Sequence, residues 1–477
     1  MIFNDLREFL AHAEELDEIR LIEGADCETD IGPIAEIMAR PNAPLLLFDK
    51  IKEYPSGYRV VTNLATSMKR FCLYAGLPDT DKPMNLVKAW HDKVKTGYKP
   101  LPPIELETGP VQDNMVTGNE VNILKFPAPK WHEMDGGRYI GTGSMVIMRD
   151  PDEGWVNAAP YRVQVHDKNT ATLWIAPGHQ GDIIRKKYWD RGLNCPVAVS
   201  LGQDPQLWLI STLEIPWGIS EYEYAGWWRN KPIEVVIGQV SGLPIPATAE
   251  IVFEGELLPP EVETRLEGPF GEYHGYFAGG QIPQPVFRIK SIMHRNNPII
   301  HGAPWYKISP LFCHGITVSK AADIWSRIEQ EVTGIKGCWV FDEATWTNMV
   351  VLSVSQQYDG HSKRAALAAK GTLPCRSSKF IIVVDDDIDP SNISEVLWAL
   401  GTRCDPDTNV EILRGVTSHR LDPILSPEKR ARHEFSGSTA IIVACKPYHW
   451  IKDFPPVSGS SPESLKRVRK KWEEFLK

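Results

Sequence analysis

The sequence predicts an α+β protein whose β-rich middle, read as a barrel or sandwich, lies between two α/β units. Three observations carry that expectation. The chain has 477 residues, more than one hydrophobic core accommodates, so two or three domains are expected. Between about residues 116 and 303, short strand-patterned runs recur between turn residues. On either side, helix-period and strand-period segments alternate.

At the N-terminus Leu6, Phe9, Leu10 and Ala13 stand at helical spacing behind Asn4 or Asp5, either of which can cap the first turn. Pro44–Lys50 and Tyr58–Asn63 read as strands and Leu86–Lys95 as a helix. Lys99–Gly109, rich in proline and acid, reads as a connector and sets a first unit of residues 1–115. The middle unit, 116–310, is expected to hold strands at Ser144–Met148, Gly154–Asp167, Ala171–Ile175, Val197–Leu201, Leu207–Thr212, Ile233–Gln239, Ala249–Leu257, Val286–Ile292 and Pro298–Gly302. The last unit, 311–477, alternates helix Ser319–Val332, strand Trp346–Val354, helix His361–Lys370, strand Lys379–Asp386, helix Ser394–Thr402 and strand Val410–Arg414. Ser461 and Pro462 open a terminal helix whose Leu465, Val468, Trp472 and Leu476 share one face. Such a stripe is expected to dock, and a partner subunit is one candidate.

Composition excludes several classes. A hydrophobic content of 42% with 24% charged residues is that of an ordinary globular protein. No apolar run approaches the roughly 18 residues of a membrane span. The first residues lack the layout of a signal peptide, so a cytoplasmic protein is expected. A net charge of −9 gives no reason to expect nucleic acid or anionic membrane as a partner. Eight cysteines without a Cys-x-x-Cys pair argue against a zinc ribbon or a disulfide framework.

The densest chemistry lies in Glu267-Gly-Pro-Phe-Gly-Glu-Tyr-His-Gly-Tyr276. Gly268, Pro269 and Gly271 forbid helix or ladder, so this is a stiff turn able to present Glu267 and Glu272 to one cavity. A surface turn with solvated glutamates is the competing reading. In Trp155-Val-Asn-Ala-Ala-Pro-Tyr-Arg162, an unbroken strand would point Asn157 and Arg162 to opposite faces. Pro160 cannot donate to a ladder, so a bulge or edge there can re-aim one of them. Arg162 is either a surface arginine or an anion anchor, its planar fork suited to a carboxylate. His179 follows a strand end and Glu221 a rigid turn. With Asn157 they make an O/N/O set suited to manganese or magnesium, although each alone is more often structural.

Taken in order, these segments resemble the UbiD family of prenylated-flavin-dependent decarboxylases. The resemblance runs through Asn157 and Arg162, His179, Ile219-Ser-Glu221, Pro246-Ala-Thr-Ala-Glu-Ile-Val-Phe-Glu-Gly255, Glu267–Tyr276 and Phe380–Asp387, over essentially the whole chain. It implies a central split β-barrel like that of flavin reductases, flanked by an N-terminal α/β segment and a C-terminal α/β domain that mediates oligomer contacts in a dimer or hexamer. The implied cofactor is prenylated FMN, supplied by a flavin prenyltransferase. Asn157, His179 and Glu221 fall on the family's manganese positions. Carbonyls near Ala158, Ile210, Ser211 and Leu213 fall near its potassium site, with Glu221 shared. Gly178 precedes the histidine where ferulic-type enzymes carry glutamine, and Lys370 falls where a family lysine reaches the cofactor phosphate.

The implied catalytic trio is Arg162, Glu267 and Glu272. Loss of carbon dioxide from an unsaturated carbon needs an electron sink that only a cofactor supplies. Arg162 would orient the carboxylate, Glu267 would hold the arginine, and Glu272 would protonate the carbon. That role requires a protonated Glu272 near neutral pH, hence a water-poor setting beside Phe270 and Tyr273. The segment Trp305–Thr317, with Trp305, Lys307, Phe312 and His314, favours a flat aromatic or heteroaromatic acid such as a hydroxybenzoate or a pyrrole, furan or indole carboxylate. Three alternatives are a glycoside hydrolase using Glu267 and Glu272, a flavin oxidoreductase on the same barrel, and a non-catalytic scaffold. The first has no use for Arg162 or the Asn/His/Glu set, and the last none for the trio.

Overall fold

The first helix, Leu6–Glu15, starts where the Asp5 carboxylate accepts a hydrogen bond from the Glu8 amide, and its Leu6, Phe9, Leu10 and Ala13 are all buried. The structure, a computed structural model, describes residues 2–64, 66–277, 279–307, 313–341, 344–345 and 348–475, with backbone only at 313–315. Behind the helix lies a four-stranded sheet in the order Ile19–Glu23, Leu45–Asp49, Arg59–Thr62, Ile299–His301. Its last strand comes from the run expected to belong to the middle unit. Ile299 and Ile300 are buried against the open edge of Arg59–Thr62, which they extend in parallel. Strand Ile19–Glu23 and helices Ile31–Ile37 and Met68–Ala75 were not anticipated. The strand is half-exposed throughout and has no apolar alternation to betray it.

The middle of the chain builds a ten-stranded sheet. Its main path runs Tyr139–Gly141, Arg162–Asp167, Thr170–Trp174, Ile282–His294, Ile251–Leu257, Cys195–Leu201, Met145–Arg149, Val156–Ala159. Thr264–Glu267 and Asn114–Thr117 also pair with the long strand Ile282–His294. Every pairing is antiparallel. Val156–Ala159 ends one side of this path and Arg162–Asp167 lies next to the other end, yet only Pro160 and Tyr161 separate them. Two residues span too little for a flat sheet of that width, so the sheet must curl into a half-barrel. The expected single strand Gly154–Asp167 is therefore two strands, broken at the proline that lacks an N–H.

Leu207–Thr212, expected as a strand, is instead the helix Pro205–Ser211. Asp204 caps it, Pro205 takes its first position, and all seven of its residues are buried. A short run that is apolar all round carries neither period, so its sequence could not separate buried strand from buried helix. The expected connector contributes Ile104–Glu105 to a small sheet with Glu234–Ile237 and Pro244–Pro246.

The last third is a five-stranded sheet in the order Ile335–Val340, Met349–Val354, Phe380–Asp385, Ser436–Ala444, Val410–Thr417, with three parallel central strands. Ile335–Val340 and Ser436–Ala444 were not anticipated, and the start of the expected strand Trp346–Val354 lies outside the described residues. Helix Cys313–Ile328 packs on helix Pro83–Lys95, where the rings of His91 and Trp325 stack at 4.6 Å. One continuous apolar cluster thus joins the N-terminal and C-terminal units. The terminal helix Pro462–Lys471 is capped by Ser461 as expected, but Leu465, Val468 and Trp472 remain exposed and Leu476 lies outside the described residues. Among the described residues no helix is long and apolar enough to cross a membrane.

Candidate active site

Two strands and one turn bring three distant side chains together. Arg162 opens strand Arg162–Asp167 and Glu267 closes strand Thr264–Glu267. Arg162 grips Glu267 with both edges of its fork, Nε to Oε1 at 2.7 Å and Nη2 to Oε2 at 3.0 Å. Its Nη1 donates to Glu272 Oε1 at 2.6 Å. The guanidinium carbon lies 5.0 Å from the ring centres of both Trp174 and Phe270, so the charge is walled by aromatic faces. Tyr139 Oη donates to Glu267 Oε1 at 2.9 Å. The reading of Glu267 and Glu272 as solvated surface groups is excluded, since both are buried.

One guanidinium faces two carboxyl groups here, and a buried site disfavours the surplus negative charge. Burial pushes the Glu272 carboxyl above its ordinary range; Arg162 opposes that shift, while Glu267 and Asp135 reinforce it. Burial disfavours the Arg162 cation too, but Glu272 and Glu267 outweigh it and Arg162 is held more firmly charged. The site is thus a fixed cation, its anchoring carboxylate, and an acid disposed to keep its proton.

A second cluster lies at the other end of the Pro160 break. Asn157 Nδ2 donates to Glu221 Oε1 at 3.0 Å and to Gln180 Oε1 at 2.9 Å, and the Ala158 amide donates to Glu221 Oε2 at 2.8 Å. Glu221 opens helix Glu221–Arg229, and His179 is the N-cap of helix Gln180–Trp189. Asn157 Oδ1 is buried without a hydrogen-bond partner. Burial raises the Glu221 carboxyl to about 7, against the lowering effect of its bonds to Ala158 and Asn157. An orphaned amide oxygen beside a buried acid fits a cation that would satisfy both. Burial, reinforced by the Arg376 charge, keeps His179 neutral, the form that ligates metals. Among the described residues no three His, Cys, Asp or Glu gather as a metal site, so the cation would depend on the Asn157 amide.

The family description UbiD, 3-octaprenyl-4-hydroxybenzoate carboxy-lyase Rift-related domain, matches residues 104–306, and its N-terminal and C-terminal domains match 8–90 and 313–444. The chain is 30% identical to the pyrrole-2-carboxylic acid decarboxylase of Pseudomonas aeruginosa, over 99% of its own length and 98% of that protein. The chain belongs to the UbiD family of carboxy-lyases. It is also 29% identical to a phenolic acid decarboxylase of Bacillus subtilis, covering 100% of this chain and 99% of that one. Among solved UbiD structures, HmfF of Pelotomaculum thermopropionicum in complex with FMN superposes with a TM-score of 0.85 at 26% identity, covering 97% of this chain and 99% of that one. Vanillic acid decarboxylase of Sedimentibacter hydroxybenzoicus in closed form gives 0.83 at 26%, with 100% of each chain covered.

Other residues of this UbiD chain fall less simply. Gly178 sits in the left-handed region, and its amide donates to Asp182 at 3.0 Å. Ile210 and Ser211 end helix Pro205–Ser211, where carbonyls run out of helical donors, and Leu213 follows. Lys370 departs from expectation. Its amine donates to the carbonyls of Cys375, Arg376 and Ser378 at 3.4, 2.8 and 3.3 Å, so it fastens its own loop instead of reaching outward. The positive charges acting on His179 are those of Arg376 and Arg420. Burial, then the charge of Arg376, pushes the neighbouring His419 down to about 4, with Lys320 adding to it. Lys320, Arg376 and Arg420 come from three segments of the C-terminal unit, and nothing local in the sequence groups them. Trp305 and Lys307 lie among the described residues; Phe312 and the side chain of His314 lie outside them.

Proposed function

We propose that this chain carries out the non-oxidative, reversible decarboxylation of an aromatic or heteroaromatic carboxylic acid with prenylated FMN as electron sink. The observation that carries this reading is the buried Arg162–Glu267 fork with Glu272 on its remaining edge. When bound, the cofactor supplies the electron sink that the departing carbon dioxide requires. Three of the five N–H groups of Arg162 are engaged in the bonds above, which leaves two for the substrate carboxylate. Glu267, itself held by Tyr139, keeps the fork from rotating. Glu272 Oε carries the proton delivered to the carbon that carbon dioxide leaves, and burial keeps that proton in place beforehand. In the carboxylation direction Glu272 takes the proton back. Trp174 and Phe270 exclude water from the guanidinium and offer flat walls to a flat acid.

Asn157, His179 and Glu221 would hold manganese or magnesium, and the carbonyls of Ala158, Ile210, Ser211 and Leu213 a potassium ion. Lys320, Arg376 and Arg420 would balance the cofactor phosphate. The half-barrel would be of the flavin-reductase split type. The protein would be cytoplasmic, a separate flavin prenyltransferase would supply the cofactor, and the exposed terminal helix would serve a dimer or hexamer. Relatives named as pyrrole-2-carboxylic acid and phenolic acid decarboxylases support an aromatic or heteroaromatic substrate. Expression with a flavin prenyltransferase, followed by an absorbance spectrum and a screen of such acids for released gas, tests the reading. Nicotinamide-driven flavin reduction with no release from any acid would defeat it.

A further inference from the structure

The segment Lys130-Trp-His-Glu-Met-Asp-Gly-Gly-Arg138 lies against the Glu267–Glu272 turn and is absent from the reading above. His132 Nδ1 lies 3.1 and 3.0 Å from the two oxygens of Asp135, and its Nε2 lies 2.6 Å from the carbonyl of Trp305. Neither partner has a hydrogen to give, so both bonds form only when both ring nitrogens donate, which makes His132 an imidazolium. Asp135, its side chain wholly buried, also accepts from the Gly271 amide at 3.2 Å. The Gly136 amide donates to the Pro269 carbonyl at 2.8 Å. Gln164 closes the arrangement: its Oε1 accepts from the Gly268 amide at 3.0 Å and its Nε2 donates to the Gly136 carbonyl at 3.2 Å. The approach is too close for any side chain. A Cβ on Gly136 would meet the Gly268 carbonyl oxygen at 1.9 Å, and one on Gly271 would meet the His132 ring at 2.6 Å.

Three of the four peptide groups from Glu267 to Gly271 are therefore gripped, and Glu272 follows the last of them directly. We propose that the His132–Asp135 ion pair is the positioning device of the proton donor: it fixes the turn that carries Glu272 and sets the charge that Glu272 senses. The groups facing Glu272 are Arg162, Glu267 and Asp135. Those facing His132 are Asp135, Glu36 on helix Ile31–Ile37, and the Trp305 carbonyl; burial disfavours the imidazolium, but these acceptors outweigh it. Asp135, like Glu267, disfavours a negative Glu272, and in the proposed arrangement the His132 cation offsets the Asp135 charge. Through Trp305 the same imidazole ties the turn to the strand exit that leads toward the C-terminal unit.

The inference rests on Glu272 as proton donor, and four variants separate the two claims. D135N should lower kcat and move its alkaline limb to lower pH by about one unit, because a like charge is removed. H132Q should lower kcat and move that limb to higher pH, because Asp135 loses its cation. The double variant H132Q/D135N should return the limb toward its original position, and D135E should keep the position while losing kcat. Infrared titration of the protonated carboxyl band that E272Q abolishes reads the same shifts without turnover, including in a variant that holds flavin poorly. Shifts in the same direction for H132Q and D135N, or none in either kcat or the band, would overturn the positioning role. Native turnover by E272Q would instead sink the proton-donor assignment on which it rests.

Discussion

Asn157 donates to Glu221 at 3.0 Å in full burial, while its own carbonyl oxygen has no partner. In the proposed site the pair would supply two of the cation's ligands. For Glu221, burial moves the carboxyl from its ordinary 4.5 to about 7, so the folded metal-free protein holds that proton more tightly than the unfolded chain. Stability from this group is present below 4.5 and is lost as pH rises to about 7. Manganese should therefore raise Tm more at about pH 8 than at about pH 5.5, as a scan at both values would show. Equal gains at both would count against Glu221 as a ligand.

Replacing His179, the proposed third ligand, tests the same site through composition. His179→Ala should copurify with markedly less manganese and less flavin, read by metal analysis and absorbance. Unchanged contents would mean the Asn/His/Glu set is misplaced.

Glu272→Gln should bind flavin and substrate but lose turnover by at least about 10²-fold. As the proposed proton donor, Glu272 would have to be protonated to act, and burial raises its carboxyl. Activity should fall as pH climbs through that raised value. A profile that instead rises across the same range would point to a base, not an acid.

Arg162→Lys keeps the charge and removes the fork that Glu267 holds, so kcat should fall on the order of 10²-fold through misplacement. Tyr139→Phe removes one hydrogen bond to Glu267, worth about 1 kcal/mol, and should cost roughly fivefold in kcat with flavin content unchanged. A larger loss from Tyr139 than from Arg162 would reverse their assigned importance.

Away from the site, Arg403 lies buried between Asp385 at 2.9 Å and Asp387 at 2.7 Å. Arg403→Met leaves the buried Asp385 carboxylate without its cation and should destabilise the protein by about 3–5 kcal/mol. Denaturant melts measure this directly, and a change below about 1 kcal/mol would show that Lys446 and Gln356 suffice to hold the acids.

Much of the site was legible in local sequence. Gly268, Pro269 and Gly271 announce a stiff turn between two acids, and Pro160 announces a break that lets Asn157 and Arg162 serve different clusters. The helix Pro205–Ser211 was misread because every residue in it is buried, which erases the period. The bonds of Lys370 to its own loop are not legible, because a lysine ahead of a glycine gives no hint of whether its amine faces a ligand or nearby carbonyls. His132 and Asp135 were overlooked since their partners, Gly271 and the Trp305 carbonyl, lie far along the chain and are backbone atoms that composition does not reveal.

By itself, the sequence determined which groups are available: two acids on a rigid turn, an arginine after a proline, an amide ahead of that proline, an imidazole after a strand end and a carboxylate after a turn. Backbone chemistry at glycine and proline dictates those local shapes whatever surrounds them. Tertiary structure alone decided that strands two residues apart curl to opposite ends of one sheet, and that Arg162 meets both glutamates out of water. Burial and mutual charge, which no local segment encodes, are what raise the Glu272 carboxyl above the range of a solvated carboxylate.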